Sequence, residues 1–316
     1  MNSSILLTGG MGYVGGRLAI ALQEAGHIVY CGTRRKELIS PSWCLNLKMR
    51  HLDWDSNSSL RDACKGIDCV IHLSAMNEID AASDPIGSLN VNGVSSLRLL
   101  EAAKIASVRR FIYFSTAHVY GSPLEGHIDE KTLARPVHPY AISHRVMEDF
   151  VLAAHDSKKI EGIVFRLSNG FGAPATHDIK RWTLLVNDLC RQAVMTGVLR
   201  LKSSGFQLRD FVTLGDVSSA VNHMVQLDNS ILADGLFNLG SGVSVSILSM
   251  TELVAKRWNM MTGKEIEIVR PTGKNENNLP LTYSCEKLVA TGFKLSREDE
   301  IEIDDTLKLC RRAFSN

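Results

Sequence analysis

No stretch of this 316-residue chain approaches the ~18 uninterrupted apolar residues of a membrane-spanning helix, so no membrane partner is expected. The N-terminus, MNSSILLTGG, lacks both a basic region and a long apolar stretch, which argues against a secretion signal and for a cytoplasmic protein. Cysteine is scattered: seven residues, an odd count, with no CxxC pair, as expected of reduced thiols rather than a disulfide framework. Cys31 and Cys69 lie in apolar runs and are expected in the core. Charge of one sign is also missing. A net charge of +1 gives no electrostatic reason to expect nucleic acid. The ten histidines show no metal-binding spacing such as HExxH, so no metal is expected.

The chain has 45% apolar and 22% charged residues, enough to build a sizeable core. Its length favours one large domain and a smaller one. Short apolar runs at 5–8, 28–31, 50–53, 69–73, 111–115 and 162–167 alternate with helical patterns at 13–25, 88–106 and 140–154. Runs this short and apolar on both faces suit buried parallel strands, and the alternation argues for a doubly wound α/β sheet of the Rossmann type. After about residue 169 the rhythm becomes irregular and richer in glycine. A Rossmann dinucleotide-binding domain is therefore expected over 1–168, with a return segment near 206–235. A smaller mixed substrate-binding domain is expected over 169–316, ending in an amphipathic helix from 304 to 314.

The sharpest motif is Thr8-Gly9-Gly10-Met11-Gly12-Tyr13-Val14-Gly15, directly after the first strand and opening the first helix. Such a turn allows positive φ and close backbone approach to a pyrophosphate, and the helix N-terminus offers free N–H groups. Gly9, Gly12, Tyr13, Val14 and Gly15 are thus the expected phosphate-facing residues. The end of the second strand selects the cofactor. A carboxylate there would hold a ribose 2′-hydroxyl. This chain has Cys31-Gly32-Thr33-Arg34-Arg35 and no acid. The two arginines suit a 2′-phosphate, favouring NADP(H) and leaving NAD(H) open. Asp53 stands either near the adenine amino group or as a turn residue.

Several ordered blocks accompany this turn: His72-Leu73-Ser74-Ala75, Asn90-Val91-Asn92-Gly93, Ser115-Thr116-Ala117-His118-Val119-Tyr120-Gly121, Pro139-Tyr140, Arg166-Leu167-Ser168-Asn169 and Arg209-Asp210-Phe211-Val212. Together they resemble the extended short-chain dehydrogenase/reductase family, in particular its nucleotide-sugar epimerases, dehydratases and reductases, over nearly the whole chain. The resemblance implies that Trp54, Leu73, Ser74, Ala75, Asn90 and Ser115 face the dinucleotide. It also implies that Tyr140 is the general acid/base, that Thr116 orients the substrate oxygen, and that a lysine four residues after the tyrosine holds the nicotinamide ribose. Here the motif reads Tyr140-Ala141-Ile142-Ser143-His144, with histidine in the lysine position. Residues i and i+4 share a helix face, so His144 can approach Tyr140, and it would be partly cationic if its pKa stayed near about 6.5. Three outcomes are open: a working replacement at some cost in rate, a more acid-dependent mechanism, or binding without catalysis.

By the same resemblance Asn169, Gln207 and Arg209 contact the diphosphate of a nucleotide-diphosphate sugar, and His118 touches the substrate or simply lines the pocket. Alternatively, Arg209 forms a salt bridge with Asp210 or Asp216. Family dehydratases carry an acid pair after the strand-five threonine. Ala117-His118 stands here instead. An NAD(P)-dependent nucleotide-sugar epimerase or 4-keto reductase is expected, acting at a sugar carbinol such as C4. The alternative is a catalytically impaired dinucleotide or nucleotide-sugar binding protein. The resemblance also implies a homodimer through the helices at 88–106 and 140–154, where Met147, Phe150 and Val151 are interface or core.

Overall fold

A computed structural model describes residues 2–271 and 279–314. Seven parallel strands form one sheet. From edge to edge they are Leu236–Leu239, Glu161–Leu167, Arg110–Thr116, Cys69–His72, Ser4–Thr8, Ile28–Thr33 and Lys48–His51. The first strand is central, and the chain winds outward from it in both directions. The strand order therefore reverses between Ser4–Thr8 and Cys69–His72, which opens a crevice at their carboxyl ends.

The apolar runs build this sheet because both of its faces are covered. Ile5 and Leu7 point to one side and Leu6 to the other, as the two-residue strand period requires, and all three are fully buried. Burying each such side chain stabilises the fold by about 1.5–3 kcal/mol. Ile5 and Leu7 share a core with Leu18 of the helix Tyr13–Glu24 and Val217 and Val221 of the helix Leu214–Gln226. Leu6 shares the opposite core with Leu60, Leu99, Met147 and Val151, from the helices Asn57–Cys64, Ser96–Ile105 and Pro139–Asp156. Met147 and Val151 are therefore core, whereas Phe150 is 45% exposed. Cys31 and Cys69 are buried as expected, and all seven cysteines are free.

Beyond the sixth strand the chain builds a third core from Phe171, Trp182, Leu189, Phe211, Met250, Ile303 and Leu307. A small mixed sheet, Ser244–Ser246, Leu208–Thr213 and Asn169–Phe171, stands beside it. The chain returns to the large sheet through Leu214–Gln226 and the edge strand Leu236–Leu239. The terminal helix spans Asp299–Phe314 and starts earlier than the expected 304. No helix among the described residues is long and apolar enough to cross a membrane.

Two further sequence expectations shift. The third strand is Lys48–His51 rather than 50–53; it is a polar edge strand, and Asp53 and Trp54 fall in the turn beyond it. The helix at 88–106 is not uniform. A short turn, Pro85–Ser88, passes into a π-helical stretch, Leu89–Ser95, before the α-helix Ser96–Ile105. π-helical turns carry more residues per turn, so the side-chain phase changes. Asn90 is turned to the outside, and Asn92 is fully buried.

Candidate active site

The crevice is a cleft of about 940 Å³. The glycine turn lines it. Gly9 has φ +73°, and a Cβ there would stand 3.0 Å from the backbone of Leu73 and Ser74, so only glycine lets the two strand ends approach. A Cβ at Gly15 would meet the Gly9 carbonyl oxygen at 2.2 Å. Gly12 precedes the helix Tyr13–Glu24 and no side chain caps it, leaving first-turn N–H groups for an anion. Tyr13 lines the cleft, yet its hydroxyl is committed, its one proton lying between the Gly172 carbonyl at 2.8 Å and Asn187 Oδ1 at 3.2 Å.

Val14, Thr33, Arg34, Arg35, Trp54, Leu73, Ser74, Ala75 and Ser115 all line the same cleft. Arg34 and Arg35 are exposed at its rim, and neither takes part in an ion pair among the described residues. Three expected contacts lie outside the lining. The Asp53 carboxylate accepts from the Asp55 backbone N–H at 3.0 Å, the turn role left open above. Asn90 is displaced by the π-helical stretch. Its neighbour Asn92 instead accepts from the Met76 N–H at 2.7 Å and donates to Ser143 at 3.0 Å, tying the cleft wall to the helix Pro139–Asp156. Gln207 accepts from Ser203 at 3.1 Å.

Tyr140 enters the cleft from a helix start fixed by local sequence. Pro139 occupies the first turn, and the His138 ring accepts from the Tyr140 N–H at 3.2 Å. His144 follows one turn later, its ring edge-on to Tyr140 with centroids 4.5 Å apart. Thr116 ends the fifth strand, and its Oγ1 accepts from the His118 N–H at 3.2 Å. Tyr140, Thr116, His144 and His118 all face the cleft.

The electrostatics correct one expectation. His144 is 2% exposed, and burial lowers its pKa to about 4, so it is neutral at pH 7 and supplies no cation to Tyr140. Burial, with Glu78 nearby, pushes the half-buried Tyr140 phenol up to about 12, and Arg181 opposes this. Glu78 and Arg181 face each other as an ion pair at 3.3 Å on the cleft wall. Neither was singled out in the sequence as a site residue. Glu78 opens the short helix Glu78–Ser83 and Arg181 lies outside any helix or strand, so no periodicity marks their pairing.

Arg209 also lines the cleft. No salt bridge ties it to Asp210 or Asp216 among the described residues. Asp210 is held by Ser168 and Ser241, and Asp216 by Ser296 and the Arg297 N–H. The charge of Arg209 adds to burial in lowering the His118 pKa. Asn169 donates to the Asp210 carbonyl at 2.8 Å.

The residues fit a dinucleotide. Besides the glycine turn, Ser115 Oγ and His144 Nε2 are buried without a hydrogen-bond partner among the described residues, and both residues line the cleft. Polar atoms buried this way are normally satisfied, so a ligand with hydroxyl or carbonyl groups suits the wall.

Comparison with known proteins agrees. The chain is 27% identical to a dTDP-D-glucose 4,6-dehydratase of Mus musculus, over 99% of this chain and 90% of that one. Its fold is similar to RMD from Pseudomonas aeruginosa complexed with NADPH, with TM-score 0.79, 23% identity and 99% of both chains covered. It is equally similar to the UDP-glucose 4-epimerase of Thermus thermophilus in complex with NAD, with TM-score 0.79, 23% identity, and 98% and 99% of the two chains covered. Residues 5–240 match the NAD dependent epimerase/dehydratase family, and the chain belongs to that family.

Proposed function

We propose that this protein is an enzyme that oxidises or reduces a carbinol, C4 in this reading, of a nucleotide-diphosphate sugar with a nicotinamide dinucleotide, as an epimerase or a 4-keto reductase. One observation carries the reading. A single cleft is lined by the glycine turn, by Tyr140 and Thr116, and by Arg209, which has no salt bridge among the described residues. The expected division, 1–168 with its return segment for the dinucleotide and 169–316 for the sugar nucleotide, is retained.

The dinucleotide would lie over Gly9, Gly12 and Gly15 and against Leu73, Ser74 and Ala75, and it supplies hydride exchange. Thr33, Arg34 and Arg35 favour NADP(H) over NAD(H), since two guanidinium groups suit a 2′-phosphate. Thr116 holds the sugar oxygen. Tyr140, protonated at neutral pH, gives that oxygen a proton as its carbon is reduced, and takes one back in the reverse direction. Arg209, with Asn169 beside it, receives the diphosphate. Ala117 and His118 offer no acid after Thr116, which disfavours dehydration. Relatives that match along most of the chain, the mouse dehydratase among them, are named as enzymes, which favours turnover over binding alone. A homodimer through the helices at 88–106 and 140–154 is supported by the exposed Val91, Ile142 and Phe150.

The test is acid release and mass identification of any dinucleotide that co-purifies, followed by product analysis with sugar nucleotides. Stoichiometric NAD(H) points to an epimerase and overturns the reading of Arg34 and Arg35. An empty site that binds NADPH more tightly than NADH supports a reductase. A dehydrated sugar product overturns the reading of Ala117 and His118.

A further inference from the structure

Behind the cleft wall, His144 has a second partner. Tyr113, on the strand Arg110–Thr116, is 2% exposed, and its hydroxyl lies 2.7 Å from His144 Nδ1. A buried phenol must place its proton on an acceptor. Among the described residues Nδ1 is the one hydrogen-bond partner of this hydroxyl. Burial, with Glu148 and Tyr140 nearby, holds the phenol well above its usual 10, so it keeps that proton.

We propose that Tyr113 is a positioning residue that fixes His144 as the neutral Nε2–H tautomer, so that the imidazole presents a single N–H donor to an oxygen of the dinucleotide in the cleft. The inference rests on the functional reading above. The opposite tautomer would put two donors, the phenol O–H and Nδ1–H, on one contact and leave Nε2 as a buried acceptor facing the ligand. A flipped ring would bring a carbon to the phenol and lose the bond. The ring is otherwise boxed in, with Tyr140 edge-on at 4.5 Å and Tyr113 tilted at 5.7 Å between centroids. The neighbouring His72, 5.8 Å from the Tyr113 ring, does not compete. Its Nδ1 meets Thr8 Oγ1 at 2.5 Å and its Nε2 meets Ser96 Oγ at 2.7 Å. Nε2 of His144, by contrast, is buried and makes no well-formed hydrogen bond among the described residues, the nearby Phe114 carbonyl serving only to favour an N–H on the ring, and its residue lines the cleft. The site therefore holds a directional neutral donor, and Tyr113 sets its direction.

Long-range proton–nitrogen correlation on the full chain labelled with 15N-histidine tests this at pH 7, before and after saturation with NADPH and, separately, NADH. The His144 signal is identified by its loss in His144→Gln. The expected result is one neutral Nε2–H tautomer whose Nε2 resonance moves on saturation with either cofactor. In Tyr113→Phe a mixture of tautomers and dinucleotide binding weaker by about tenfold are expected. Wild-type His144 carrying its proton on Nδ1, or cationic, while the protein binds dinucleotide overturns the tautomer assignment alone. So does a folded Tyr113→Phe protein with unchanged tautomer and affinity. A wild-type protein that binds neither dinucleotide overturns the functional reading and the ligand contact together, while its tautomer is still read directly.

Discussion

The guanidinium of Arg17 grips both oxygens of the Glu302 carboxylate, at 2.9 and 2.6 Å, joining the helix behind the glycine turn to the last helix of the chain. The same guanidinium donates to the Ala173 carbonyl at 3.0 Å, and Glu302 also accepts from the Gly215 N–H at 2.9 Å. Glu302 is almost wholly buried, so removing its partner strands a charge. We expect Arg17→Leu to lower stability by about 2–4 kcal/mol in urea unfolding. The double variant Arg17→Leu/Glu302→Leu should recover much of that loss. A single variant as stable as wild type would remove the pair from any account of how the cleft walls are held.

Tyr140→Phe keeps the ring but removes the transferable proton. Turnover should fall by about 10²–10⁴-fold with dinucleotide affinity unchanged. Because the phenol is raised to about 12, the oxidation direction needs tyrosinate and should quicken as pH rises through 9, while reduction should not. In His144→Lys a cation beside the phenol should move that alkaline rise to lower pH. Full turnover in Tyr140→Phe would rule out the acid/base role.

Arg34→Ala/Arg35→Ala should weaken NADPH by about 10–100-fold through loss of charge-assisted bonds to a 2′-phosphate. NADH binding should be little changed. Titrations of both cofactors against both proteins read the difference, and equal losses for the two would assign the arginines to some other contact.

Acid should destabilise the protein through its buried histidines. His72 and His144 are lowered by burial to about 3 and about 4. Below about 6.5 the unfolded chain takes up protons that the folded one refuses. Stability from these groups is thus fully present above that pH and falls as pH descends towards 4, by about 1.4 kcal/mol per pH unit for each histidine. His144→Gln should flatten the slope by one such increment between pH 6 and 4.5, as read by urea midpoints across that range.

The sheet and the glycine turn were legible because their causes are local. Ile5-Leu6-Leu7 and Cys69-Val70-Ile71 are apolar on both faces, and the Gly9 and Gly15 positions admit no side chain. Tyr140 and His144 were found through the family resemblance, whose tyrosine and lysine positions they occupy. Asn90 was chosen through the resemblance, but Leu89–Ser95 is π-helical and the inward position there belongs to Asn92. Lys48–His51 was shifted because an edge strand needs no apolar run. Tyr113 reads in sequence as one more core aromatic; its hydroxyl acquires meaning only through a histidine 31 residues away. Glu78 and Arg181, 103 residues apart, meet only after folding.

The link between residues 17 and 302 also has a consequence in time. Synthesis proceeds from the N-terminus at roughly 5–20 residues per second. The glycine turn leaves the ribosome early, but the carboxylate that braces the helix behind it is made 285 residues after Arg17. A nascent chain can assemble much of its sheet while Arg17 still lacks this partner. The bracing of the cleft therefore waits until translation has passed residue 302.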